Sequence, residues 1–242
     1  MTEQPTYRRV LLKLSGEALA GTSGQGLDPA VLARFAAEIR DVRALGVELG
    51  IIVGGGNFIR GAKAAASGMA RTAADQMGML ATVMNAMALR ESLEAAGVPT
   101  RVLSALLVQG VVEPYIHRRA MKHLESGEVV IFAGGTGNPY FSTDTAAALR
   151  ALEVQAKVLF KATKVDGVYD DDPKTNPDAR RYETLTHMEC LRGRLRVMDA
   201  TAVSLCMENG LPILVFDATR AGNIRAAALG ERIGTLVGEA KP

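Results

Sequence analysis

The 242-residue chain is poor in the residues that build covalent or metal-bound frameworks. Its two cysteines, Cys190 and Cys206, have no CxxC spacing, so neither a disulfide framework nor a zinc site is expected, and both read as buried thiols. Its three histidines, His117, His123 and His187, lack the i, i+4 spacing of a metal pair, so no protein-held transition metal is expected. No segment approaches the roughly 18 apolar residues a membrane helix needs, and residues 1–9 lack the apolar centre of a signal peptide. A cytoplasmic protein with no membrane partner follows as the expectation. Charge of one sign is missing too. Twenty-eight Lys and Arg against 26 Asp and Glu leave +2, too little for coating nucleic acid but compatible with an anionic small molecule. The Gly-Lys pair of a Walker A loop does not occur, and a GxGxxG reading of 54–59 fails because Ile59 stands at its last position.

What is present is an ordinary globular balance, 48% hydrophobic and 22% charged, without linker-like stretches or internal repeats. Apolar, β-branched runs at 9–14, 49–53, 101–106, 129–133, 156–160 and 213–216 read as strands buried on both faces. Helix-period segments lie between them, near 29–45, 73–96, 114–126, 143–153 and 199–209. This alternation implies right-handed crossovers, hence a single-domain, three-layer α/β/α sandwich with a mostly parallel central sheet. Residues 165–197 interrupt the rhythm with polar and turn-forming residues, and read as a lobe over one sheet edge in which RYETLT adds an antiparallel strand. Met77, Met79, Met84 and Met87 fit core packing or a subunit interface.

In an open parallel sheet, ligands bind beyond the carboxyl ends of the strands. Four strand exits qualify: Lys13-Leu14-Ser15-Gly16, Gly54-Gly55-Gly56-Asn57, Gly134 to Asn138, and Lys161-Ala162-Thr163. The run Gly54 to Gly56 suits backbone amides approaching a phosphate, with Arg60 adding charge; a tight turn needing positive φ is the plainer alternative. Lys13 and Lys161 end apolar strands, so either an anion offsets their desolvation or they snorkel to the sheet edge. Asp199 either holds the two ammonium groups apart or caps the helix it opens. Asp75 can close a capping box with Thr72. Asp170, Asp171 and Asp172 form a solvated acidic turn or a magnesium site. Lysines, an arginine and glycine amides are what phosphoryl transfer requires, and no base is evident in the four segments, which favours an acceptor already anionic at neutral pH.

Five ordered segments, KLSGEAL at 13–19, GGGNFIRG at 54–61, DQMGMLATVMNA at 75–86, GTGNPYFSTD at 135–144 and KATKVDGVYDDDP at 161–173, resemble the amino acid kinase superfamily. Within it, the chain from about 8 to 236 is most similar to the bacterial uridylate (UMP) kinases. The resemblance implies ATP and UMP as substrates, ADP and UDP as products, and Mg2+ carried mainly on ATP phosphates without a dedicated protein metal site. It implies catalytic roles for Lys13, Arg60, Lys161 and Asp199, and an ATP site of Lys13, Leu14, Ser15, Gly16, Gly56, Arg60, Thr163, Tyr169 and Asp172 under the 165–197 lobe. UMP would meet Gly55, Asp75, Thr136, Gly137, Asn138, Pro139, Tyr140, Phe141, Ser142 and Thr143. Thr136, Asn138 and Thr143 offer the donors and acceptors uracil needs, and Pro139 stiffens their loop. A homohexamer with GTP and UTP as effectors is also implied. The segment Gly21, Thr22, Ser23, Gly24, Gln25 and Gly26, with Arg90 and Arg101, would form the effector region, although Glu94 and Glu128 stand where further bases would be expected. The competing readings are a sibling kinase for a carboxylate or carbamate and a non-catalytic uridine-nucleotide sensor.

Overall fold

The computed structural model describes residues 4–59, 68–173, 175–195 and 198–239. The aliphatic runs become strands of one sheet: β1 (Arg9–Leu14), β2 (Glu48–Val53), β3 (Thr100–Ser104), β4 (Glu113–Pro114), β5 (Val129–Ala133), β6 (Val158–Thr163), β7 (Thr184–Leu185), β8 (Ile213–Asp217) and β9 (Thr235–Val237). Their spatial order is β4-β3-β5-β2-β1-β6-β8-β9-β7. Every neighbouring pair from β4 to β8 is parallel, whereas β9 runs antiparallel to β8 and β7 runs parallel to β9.

Helices cover both faces, as parallel strands buried on both sides require. They are α1 (Gly16–Leu19), α2 (Pro29–Ala44), α3 (Arg71–Ala95), α4 (His117–Glu125), α5 (Thr143–Glu153), α6 (His187–Arg192), α7 (Ala200–Glu208) and α8 (Asn223–Ala228). The two-residue alternation of a strand divides β1 between two cores. Val10, Leu12 and Leu14 pack with α2, α3 and α8, while Leu11 packs with α4, α5, α6 and α7. Lys13 falls in the second set by the same alternation, and this directs its side chain toward α5. The three-layer expectation is met.

Several limits differ from those read in the sequence. The strand expected at 156–160 runs Val158–Thr163, so Lys161 lies inside β6 and pairs with Val215 of β8. Residues 113–114 stay extended because they pair with Leu103 and Ser104, which delays the helix expected at 114 until His117. The antiparallel strand expected within RYETLT is Thr184–Leu185, paired in parallel with β9; the antiparallel contacts are β8 with β9 and an isolated bridge between Tyr169 and Arg181. Strands of two or three residues are too short for periodicity to announce. The methionine cluster divides: Met79 is buried and Met87 packs on the core, whereas Met77 and Met84 face outward. Among the described residues no helix is long and apolar enough to cross a membrane.

Candidate active site

Sheet register brings the four strand exits onto one rim. Lys13 pairs with Ile52 of β2 on one side and with Lys161 of β6 on the other, and Ile52 pairs with Phe132 of β5. The carboxyl ends of β5, β2, β1 and β6 therefore lie side by side, and the connections that leave the neighbours β1 and β6 diverge, the first leading to β2 on one side and the second to strands on the other. That is a topological switch point, where open α/β sheets place their ligands.

Because Lys13 and Lys161 are register partners in parallel strands, their side chains project to the same face. There they share the carboxylate of Asp144, in the first turn of α5: Lys161 Nζ donates to Oδ2 at 2.7 Å and Lys13 Nζ lies 2.8 Å from Oδ1. The Lys13 contact is a charge pair without hydrogen-bond angles, for Oδ1 is buried with no hydrogen-bond partner. Burial works against the Asp144 charge, yet Lys13 and Lys161 together outweigh it and hold the carboxyl below its usual range. Burial also pulls Lys161 below the ordinary lysine range, with Asp144 opposing. Two cations against one carboxylate leave this near-buried cluster formally positive, a state that an anionic ligand completes.

The alternative in which Asp199 separates the ammonium groups is corrected by this geometry. Asp199 caps α7, accepting from Ala202 N at 3.0 Å, and accepts from the Thr145 hydroxyl at 3.0 Å and from the Ser142 hydroxyl. It acts on Lys161 only through longer-range attraction. Its carboxylate ties the start of α5 to the start of α7, which fixes Asp144 from behind. Asp144 itself was visible in the sequence only as a helix-start residue; the signal for it was the need of two buried lysines for a nearby counter-charge.

The glycine loop after β2 owes its composition to close approach, and the tight-turn alternative fails because neither Gly54 nor Gly55 has positive φ. A Cβ on Gly55 would lie 2.5 Å from the Gly78 carbonyl and 2.9 Å from Ala81 Cβ, both on α3. A Cβ on Gly54 would face Gly16 N at 3.2 Å and Thr143 Oγ1 at 3.7 Å, so the first, second and fifth-strand exits meet at these bare backbones. Ser15 and Gly16 open α1 directly above β1. Arg60 lies outside the described residues.

Between β5 and α5 the chain runs through Gly134, Gly135 and Gly137, all at positive φ, and Tyr140 at φ 70°. The last is a left-handed conformation that a tyrosine seldom adopts. Asp75 holds it there: its Oδ2 accepts from Tyr140 N at 2.8 Å and from Arg71 Nε at 2.7 Å. The capping box with Thr72 is absent because α3 begins at Arg71 with Ala70 as its cap. Thr136 Oγ1 accepts from Asn138 N at 3.2 Å, and Ser142 caps α5 by accepting from Asp144 N and Thr145 N. Tyr140 and Phe141 are exposed at the loop's tip.

Beyond β6, Thr163 Oγ1 accepts from Val165 N, and the Tyr169 hydroxyl donates to Asp166 at 2.7 Å. Asp172 follows in an exposed turn whose carbonyl accepts from Asn176 N. The segment 21–26 is an exposed turn region between α1 and α2, tied down at Gly26. Arg90 pairs with Glu91 and Arg101 with Glu128, whose carboxylate also contacts His123.

A parallel sandwich whose rim gathers paired lysines and glycine amides defines a phosphate-handling α/β protein, and the chain belongs to the amino acid kinase family, whose sequence profile matches residues 8–217. Among solved structures it is similar to UMP kinase from Bacillus anthracis, with 39% identity, 97% of each chain covered and a TM-score of 0.94. It is similar to UMP kinase from Ureaplasma parvum at 37% identity, covering 99% of this chain and 100% of that one, with a TM-score of 0.90. Uridylate kinase from Archaeoglobus fulgidus matches at 29% identity over 95% of this chain and 99% of that chain, with a TM-score of 0.73.

Proposed function

We propose that this chain transfers the γ-phosphoryl group of ATP to UMP, giving ADP and UDP. The observation that carries this reading is the Lys13–Asp144–Lys161 cluster, set at the centre of the rim between two glycine-lined exits. Family membership and likeness to two UMP kinases over nearly the whole chain support the same substrate.

An oxygen of the UMP phosphate bonds to the γ-phosphorus while the bond from that phosphorus to the β,γ-bridging oxygen breaks, and the electron pair leaves on ADP. The acceptor oxygen carries no proton, so no general base is needed. Lys13 and Lys161 neutralise charge on the transferred group, and the backbone at Gly16 and Gly54 to Gly56 takes phosphate oxygens. Asp144 keeps the lysines charged and aimed. Leu14, Ser15, Thr163, Tyr169, Asp172 and Arg60 complete the ATP side under the lobe at 165–197. Gly55, Asp75 and 136–143 complete the UMP side, with Asp75 turning from Tyr140 N to a ribose hydroxyl or serving both. Asp199 acts by positioning α5.

Among the described residues no three His, Cys, Asp or Glu side chains gather to hold a metal, and the Asp144 carboxylate is engaged by two ammonium groups. Magnesium carried on the substrate phosphates would supply charge neutralisation on the donor. A homohexamer, regulation by GTP and UTP around 21–26, and a cytoplasmic location belong to the same reading. The stripe Met77, Leu80 and Met84 on the outer side of α3 supports self-association, since an exposed apolar row on a helix favours a partner surface.

The test is ADP formation with UMP, CMP, carbamate and acetylglutamate offered separately. UMP should be the productive acceptor, and Lys13→Met should lower its turnover by orders of magnitude while UMP binding persists. Turnover with a carboxylate or carbamate and none with UMP would assign a different acceptor.

A further inference from the structure

Asn85 is a wholly buried carboxamide in the middle of α3, and Asn57, 3% exposed, is its partner behind the glycine loop. The two amides exchange hydrogen bonds, Asn57 Nδ2 to Asn85 Oδ1 at 2.9 Å and Asn85 Nδ2 to Asn57 Oδ1 at 2.7 Å. Each has one donor left over. Asn85 Nδ2 gives its second to the Gly54 carbonyl at 2.6 Å, and Asn57 Nδ2 gives its second to the Gly26 carbonyl at 2.7 Å. Gly26 is gripped twice, for its own N–H donates to the Asn57 carbonyl at 3.1 Å. A Cβ on Gly16 would strike the Gly54 carbonyl and come within 2.6 Å of Asn57 Oδ1, so the exit of β1 leans on the same pair.

Fully satisfied buried amide pairs fix one geometry, because any displacement strands a donor in apolar surroundings. The Gly54–Gly55 peptide is trans, so holding its carbonyl toward Asn85 turns the Gly55 N–H the opposite way. No acceptor among the described residues takes that N–H.

The geometry points to Asn85, with Asn57, as a positioning residue for phosphoryl transfer: the pair sets the Gly54–Gly55 peptide so that its N–H meets a substrate phosphate, and it locks that setting to segment 21–26. This rests on the proposed kinase reaction. Neither residue touches substrate; both act through the glycine loop.

The experiment uses the full-length enzyme with Asn85→Ala, Asn57→Ala and the double variant. It reads kcat and KM for ATP and UMP, melting temperature, and amide hydrogen exchange at 20–28 and 54–58. A positioning role predicts kcat lowered about tenfold or more in the folded single variants, with each KM changed less than about threefold. The double variant should be no slower than the slower single variant, and exchange should rise in both segments together. If Asn85→Ala does not fold, Asn57→Ala and Asn85→Ser carry the test. Folded variants with wild-type kcat, or losses that match only a smaller folded fraction, overturn the inference. A wild-type enzyme inactive toward UMP overturns the proposed reaction instead.

Discussion

Lys161 is held where burial disfavours its proton and Asp144 restores part of that affinity, with a net shift downward from the usual lysine range. The sign is fixed: as pH rises, Lys161 loses its charge earlier than an ordinary lysine, and with it the attraction for phosphate. The alkaline limb of the kcat/KM profile, which reports the free enzyme, should therefore fall below pH 10.5, and Lys161→Arg should move it upward whatever the height of its plateau, since a guanidinium does not deprotonate in that range. A limb that does not move would remove Lys161 as its origin. At this scale the lysines were legible, because a cation ending an apolar strand stands out against its neighbours. Their shared carboxylate was not, because Asp144 lies 17 residues before Lys161 and meets it only through the register of β1 with β6 and the setting of α5. Asn85 was hidden further, being one of many polar residues in a long helix and the one that turns wholly inward.

The loop from β5 to α5, to which the proposed reaction assigns the acceptor, has its end anchored by one hydroxyl. Ser142 accepts from Asp144 N and Thr145 N and donates to Asp199, so it both starts α5 and links it to α7. Replacing a capping serine by alanine costs about 1 kcal/mol of stability. Ser142→Ala should lower the melting temperature by a few degrees, roughly as that loss predicts for a domain of this size, and should lower turnover beyond the stability loss because Asp144 loses its support. A variant less stable by that amount but fully active would confine Ser142 to capping. The long elements were readable from periodicity to within a few residues, as with Pro29–Ala44 and Val129–Ala133. The short ones were read poorly: β4 and β9 went unread and β7, expected within RYETLT, was given the wrong direction, because each exists only where a neighbour offers an edge.

For the whole molecule, the outward row of Met77, Leu80 and Met84 is spaced i, i+3, i+7 on one stripe of α3, with Leu80 49% exposed. Leu80→Glu should leave the subunit folded and shift light-scattering mass to smaller species; an unchanged mass would release α3 from any role in assembly. The order of the sheet has a temporal side as well. β1 is among the first segments made, yet it ends between β2 and β6, so its second neighbour is synthesised more than a hundred residues later. Until then, one flank of β1 is bare and Lys13 has no counter-ion, because Asp144 is also still to come. A ribosome halted before α5 would carry a chain with a sticky strand and an unmet charge near its start, and the lysine–aspartate cluster closes only when late sequence inserts beside early sequence.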